Sequence, residues 1–147
     1  MKNFILVSGF LFATALSSMA ADADWLTDHA KALEKAKAEK KIVLMDFTGS
    51  DWCGWCVKLD KEVFGQGAFK SYAKQNLVLL KVDFPRKKAL PPEVKIQNDA
   101  LMNQYGIQGF PTVVVLDSEG QKLGQLGYQP GGPSAFIAAL KKLTPAQ

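Results

Sequence analysis

The chain has 147 residues, 48% of them apolar and 22% charged. That is the length of one ordinary domain and the balance of a folded protein, which excludes intrinsic disorder; no repeat of solenoid period is present. The formal net charge of +4 is mild, and its densest basic cluster, Arg86-Lys87-Lys88, lacks the length and interleaved aromatics of a nucleic-acid footprint, so it reads as a solvated loop with no nucleic-acid partner.

The first segment is a leader. Lys2 precedes the apolar run "FILVSGFLFATAL", and Ser18 and Ala20 are small residues placed as in a cleavage site. Residues 1–20 are therefore expected to be a secretory signal peptide, cut after Ala20, or after Ala23 with Ala21 and Ala23 in the same roles. The run is short for a membrane span, which needs roughly 20 residues, and no cysteine lies near the cut to carry a lipid. An exported protein, periplasmic or secreted, with one domain over 21–147, follows.

After the leader, Asp22 to Lys41 is rich in Ala, Leu, Glu and Lys, and Trp25, Leu26, Ala30, Leu33 and Ala36 form an apolar stripe at helical spacing. "IVLMDFT" (42–48) is a continuous apolar run, as in a strand buried on both faces, and Gly49 and Ser50 break it. Helical stretches are expected from Cys53 to Phe64 and from Gly67 to Asn76. A second buried strand, "LVLLKVDF" (77–84), ends at Pro85 and opens a loop over 85–96. A short helix over 97–105, a strand over 112–117, a turn over 118–120 and a strand over 121–128 follow. The last element is an amphipathic helix over 133–143, with Pro133 suited to its first turn. Strands alternating with helices and closing on a hairpin predict an α/β domain, a mixed sheet covered by helices on both faces.

Both cysteines of the chain lie in "GSDWCGWCVKL" (49–59), and three roles compete for them. As a staple the pair does little, because closing a four-residue loop contributes about 2 kcal/mol against about 4.7 for a hundred-residue loop. A structural zinc needs four ligands, and a covalent haem needs a histidine directly after the second cysteine. Position 57 is Val, and the single histidine, His29, is far away in the first helix. A redox pair fits the setting. Cys53 follows a strand and a turn and opens a helix, where free N–H groups and the helix dipole favour a thiolate. Cys56 is one turn further on the same face, placed to resolve a mixed disulfide formed by Cys53. The dipole contributes at most about 2 kcal/mol, and the intervening Gly54 and Trp55 add no positive charge, which leans the pair toward reduction.

These residues resemble the thioredoxin superfamily over the whole mature chain. "DFTGSDWCGWC" is similar to its first buried strand and active-site turn, "LLKVDF" to its next strand, and "YGIQGFPTVVVLDSEGQ" to its cis-proline segment. The resemblance implies a thioredoxin fold, with a central mixed four- to five-stranded sheet flanked by helices on both faces. Carried over by residue, it implies Cys53 as nucleophile, Cys56 as resolving thiol and Pro111 as the cis-proline after Phe110, beside which a substrate peptide pairs as an added strand. It implies Asp46 as a buried carboxylate that accepts the Cys56 proton through water, and Lys81 as the lysine near it. Trp52 becomes a groove wall, and Gly54, Trp55, Phe110 and Pro111 join it as the substrate-binding surface.

The chain departs from cytosolic thioredoxins in carrying Gly-Trp rather than Gly-Pro between the cysteines, in a turn one residue longer before Cys53, and in the "RKKALPP" insertion. These features, with "KLDKEVF" after the pair, resemble exported relatives such as the reductase domain of the transmembrane thiol:disulfide interchange protein. The function implied is a monomeric thiol–disulfide oxidoreductase acting as a reductase of exported proteins, with no bound cofactor and a membrane-embedded electron donor. Oxidase or isomerase action, or a non-catalytic client-binding module, are the alternatives.

Overall fold

The computed structural model describes residues 24–144; the leader expected at 1–20, with both cleavage positions, lies outside them. Strands β1 (Trp25–Leu26), β2 (Ile42–Thr48), β3 (Leu77–Asp83), β4 (Thr112–Leu116) and β5 (Lys122–Leu126) form one sheet in the order β1-β3-β2-β4-β5. The β1/β3 and β3/β2 pairs are parallel, and the β2/β4 and β4/β5 pairs antiparallel. The three mainly apolar runs are the three inner strands, because a strand covered on both faces favours apolar residues at successive positions rather than at alternate ones.

Helices α1 (His29–Glu39), α2 (Gly54–Leu59), α3 (Gly67–Asn76), α4 (Pro92–Gln104) and α5 (Gly132–Leu143) cover the sheet. Period-two alternation divides the core between its faces. Val43, Met45, Phe47, Val78, Leu80 and Val82 pack with Ala32 and Ala36 of α1 and Leu101 of α4. Leu44, Leu77, Leu79, Val113 and Val115 pack with Leu59, Phe69, Ala73, Phe136 and Leu140 from α2, α3 and α5. Phe64, Phe69 and Phe136 meet there in tilted and edge-on contacts 5.0–6.1 Å apart, preferred aromatic geometries. The mixed α/β thioredoxin fold, with helices on both faces, is the one expected.

Most elements fall within one or two residues of the sequence reading, and three differences are larger or differ in kind. Trp25 and Leu26 are not the start of the first helix but a short strand in parallel register with Leu79 and Leu80. The helix waits for Asp28, whose carboxylate caps it by accepting the Lys31 N–H at 3.0 Å. Next, α4 begins at Pro92, five residues before the expected Gln97, since proline is pre-organised for the first helical turn, where its missing N–H costs nothing. Finally, the helix after Cys53 gives way to a π-helical turn over Asp60–Phe64, closed by Gly65 N–H donating to the Asp60 carbonyl at 2.6 Å.

Candidate active site

Strand β2 ends at Thr48, and the chain turns over Gly49–Trp52 into α2. The N–H groups of Trp52 and Cys53 donate back to the Gly49 carbonyl at 3.2 and 2.9 Å. A side chain at Gly49 would collide with the Trp52 indole, so glycine is the residue that fits this turn. Cys53 is the N-cap of α2, with extended backbone (φ −89°, ψ 106°). Its Sγ accepts the Cys56 N–H at 3.2 Å, placing sulfur where the helix start offers unsatisfied donors. Cys53 and Cys56 form a disulfide with Cα atoms 5.2 Å apart. Both sulfur-bearing residues are largely covered, Cys53 8% exposed and Cys56 4%, so Cys53 is the more accessible of the two.

Around Cys53 stands an aromatic wall. Trp52 donates its indole N–H to the Phe84 carbonyl at 2.7 Å and meets Phe110 edge-on at 5.9 Å; Phe84 stacks on Phe110 at 5.2 Å. The Phe110–Pro111 peptide bond is cis, and the Thr112 hydroxyl donates to the Gly109 carbonyl across this corner at 2.7 Å. A second aromatic cluster surrounds Trp55, which is 57% exposed. It rests against Tyr128 at 5.1 Å, with the Lys58 ammonium 5.2 Å over each ring. The Tyr128 hydroxyl donates to Glu62 at 2.7 Å, and Lys58 pairs with Glu62 at 3.8 Å. Gly54, the first residue of α2, is exposed and faces open space.

Asp46 lies in the middle of β2, on the sheet face that carries Leu44 and is covered by α2, α3 and α5. It is buried, and its Oδ1 has no hydrogen-bond partner. Burial pushes the Asp46 carboxyl up to about 7, against the pull of Lys81 and with smaller upward pushes from Asp60 and Asp83. Its register partners are Lys81 on β3 and Val113 on β4. The Lys81 ammonium forms its ion pair with Asp60 at 3.8 Å rather than with Asp46, and lies 5.0 Å over the Trp25 ring. It therefore acts on Asp46 through space.

A family model of the thioredoxin-like domain matches residues 29–144. The chain belongs to the thioredoxin-like family. This thioredoxin-like protein is 39% identical over 122 residues to the "Disulfide bond reductase DsbH" of Chlamydia pneumoniae, spanning 83% of this chain and 73% of that one. A solved structure titled "DsbH Oxidoreductase" superimposes with a TM-score of 0.80 at 37% identity, covering 92% of this chain and 94% of the other. A "Thioredoxin-related protein DsbJ" of the same organism is 27% identical over 134 residues, 86% of this chain but 38% of its own length. With a cysteine pair at the head of α2, this thioredoxin-like protein is a thiol–disulfide oxidoreductase.

The fold thus gathers Trp52, Cys53, Gly54, Trp55, Cys56, Phe110 and Pro111 at the end of the sheet where α2 begins, with Asp46 and Lys81 side by side under the α2 face. Sequence reasoning missed Tyr128, Lys58 and Glu62 around Trp55. It also missed the acidic anchors of the turn. Asp83 accepts the Ser50 N–H at 2.9 Å and its hydroxyl at 2.6 Å, while its carbonyl accepts from Asn98 of α4 at 2.9 Å. The interruption of an apolar strand by a terminal Asp is the signal that pointed there.

Proposed function

We propose that this chain is an exported reductase of disulfides in other exported proteins, in which Cys53 attacks and Cys56 resolves. The Cys53 thiolate attacks one sulfur of the substrate disulfide and expels the other as a thiolate. The Cys56 thiolate then attacks the Cys53 sulfur, releases the second substrate thiol and leaves Cys53–Cys56 oxidised. Two electrons pass to the substrate, so each cycle requires a dithiol donor. In an oxidising compartment this is a membrane-embedded one.

The observation that carries the assignment is the position of Cys53. As N-cap it holds its sulfur against the Cys56 N–H, where a thiolate is stabilised by the helix start, and it is the less covered of the pair. Asp46, buried and pushed up to about 7, is suited to take the Cys56 proton through water near neutral pH, and Lys81 moderates its charge. The cis Phe110–Pro111 corner presents a backbone edge to an extended substrate peptide, flanked by Trp52, Gly54 and Trp55. The reducing direction is supported by the likeness to a disulfide bond reductase and by the uncharged Gly54-Trp55 between the cysteines. Export is supported by the leader sequence. The unit of action is the monomer.

Trapping tests the reading. Cys56→Ser is expected to abolish turnover and accumulate mixed disulfides through Cys53, and Cys53→Ser to abolish both. Sustained turnover by either variant, or client affinity independent of both cysteines, contradicts it. Mature protein that stays oxidised in cells with or without the membrane donor contradicts the donor.

A further inference from the structure

The basic stretch 86–88 has a more specific place than a solvated loop. Asp51, in the turn leading into Cys53, accepts the backbone N–H of Arg86 at 2.9 Å and of Lys87 at 2.8 Å. Asp83, at the start of the same loop, holds Ser50 of that turn through N–H and hydroxyl. The loop and the active-site turn are therefore fastened to each other in both directions. On this frame the Arg86 guanidinium lies 3.7 Å over the Trp52 ring. Trp52 directly precedes Cys53 and is edge-on to Phe110, so Arg86 crowns the wall beside the reacting sulfur.

Of the neighbouring cations, Lys58 pairs with Glu62, Lys81 with Asp60 and Lys88 with Asp83, at 3.8, 3.8 and 3.4 Å, while the Lys87 ammonium, like Arg86, has no ion pair among the described residues but also no aromatic ring to hold it. The Arg86 guanidinium has neither an ion pair nor a hydrogen bond among the described residues; its contact is the π face of Trp52. A guanidinium carbon 3.7 Å from a ring centroid is at stacking distance, a contact that leaves the N–H donors unspent, and those donors form the fork that takes a carboxylate with two parallel hydrogen bonds. Because Trp52 directly precedes Cys53 and carries the guanidinium on its ring, the partner this cation suits is a carboxylate side chain close in sequence to the substrate cysteine.

Resting on the reductase reading, we infer that Arg86 is a specificity-determining residue: it selects substrate peptides with a carboxylate side chain close to the reacting cysteine. Asp51 is its positioning residue.

The test uses two disulfide-bonded peptides, identical except that the residues flanking the reacting cysteine are Glu in one and Gln in the other. With wild-type mature protein at low salt, kcat/KM is expected to favour the Glu peptide by about fivefold, the upper range for an exposed pair, and less as salt rises. In Arg86→Gln the ratio falls to about one, whereas Lys122→Gln, on the edge strand β5, keeps the wild-type ratio although it removes the same charge. A ratio is internally corrected for any loss of folded protein. Equal rates on both peptides with the wild type, or a preference that survives Arg86→Gln, overturns this inference alone. A wild type that reduces neither peptide overturns the reductase reading and this inference with it.

Discussion

Asp46→Asn isolates the energetic consequence of a carboxyl buried under the active-site helix. The group's ordinary value is 3.8, and burial raises it to about 7 in the folded protein. Between those values the folded state holds a proton that the unfolded state has released, so the folded state is progressively disfavoured as pH rises. The stability associated with the neutral carboxyl is fully present below about pH 4 and is lost as pH climbs through about 7. A shift of about three units corresponds to roughly 4 kcal/mol, and about 2.5 kcal/mol of that loss falls between pH 5 and pH 8 by the same linkage. Because Asp46 is almost completely buried, solvent screening removes little of it. Asparagine has nearly the same shape but does not ionise. Urea unfolding of oxidised wild type and Asp46→Asn at pH 5 and pH 8 is therefore expected to show the variant gaining about 2.5 kcal/mol on the wild type over that range, whatever its absolute stability at pH 5. Parallel pH dependences in the two proteins would refute a carboxyl held neutral by burial.

Two further predictions concern the frame of the site. Phe136→Ala removes a fully buried ring packed edge-on against Phe64 and Phe69, and is expected to cost about 3–5 kcal/mol in urea unfolding; a loss below 1 kcal/mol would contradict the packing described. His29, at the start of α1, has a buried Nε2 without a hydrogen-bond partner, and burial holds its imidazole below the ordinary 6.5, opposed by Asp28. The unfolded chain then takes up the proton first, so stability present above pH 6.5 is lost as pH falls below it. Thermal midpoints at pH 7.5 and 5.5 should separate wild type from His29→Gln in that direction, and equal shifts in both would contradict it.

The sheet was legible because β2, β3 and β4 are covered on both faces and so read as apolar runs, their charged residues being Asp46, Lys81 and Asp83. The redox pair was legible because its chemistry is local: a strand, a turn and a helix start within one short stretch. What escaped was non-local. Trp25 and Leu26 fit a helical stripe, but pairing of only two residues with Leu79 and Leu80 takes them into the sheet, too short a strand to leave a period. Lys81 sits beside Asp46 as the resemblance implied, yet its ion pair goes to Asp60, placed by a π-helical turn that no local propensity announces. The hold of Asp51 on Arg86 and Lys87 spans 35 and 36 residues, and Tyr128 reaches Trp55 from beyond β5. Neither leaves a trace in spacing or composition.

The reduction potential of the Cys53–Cys56 couple in the mature protein tests the reductase assignment most directly. Equilibration with a glutathione or dithiol buffer of known poise, read by thiol alkylation, is expected to give a value near that of thioredoxin, about −270 mV. A value near −120 mV, that of a strong oxidant, would contradict it.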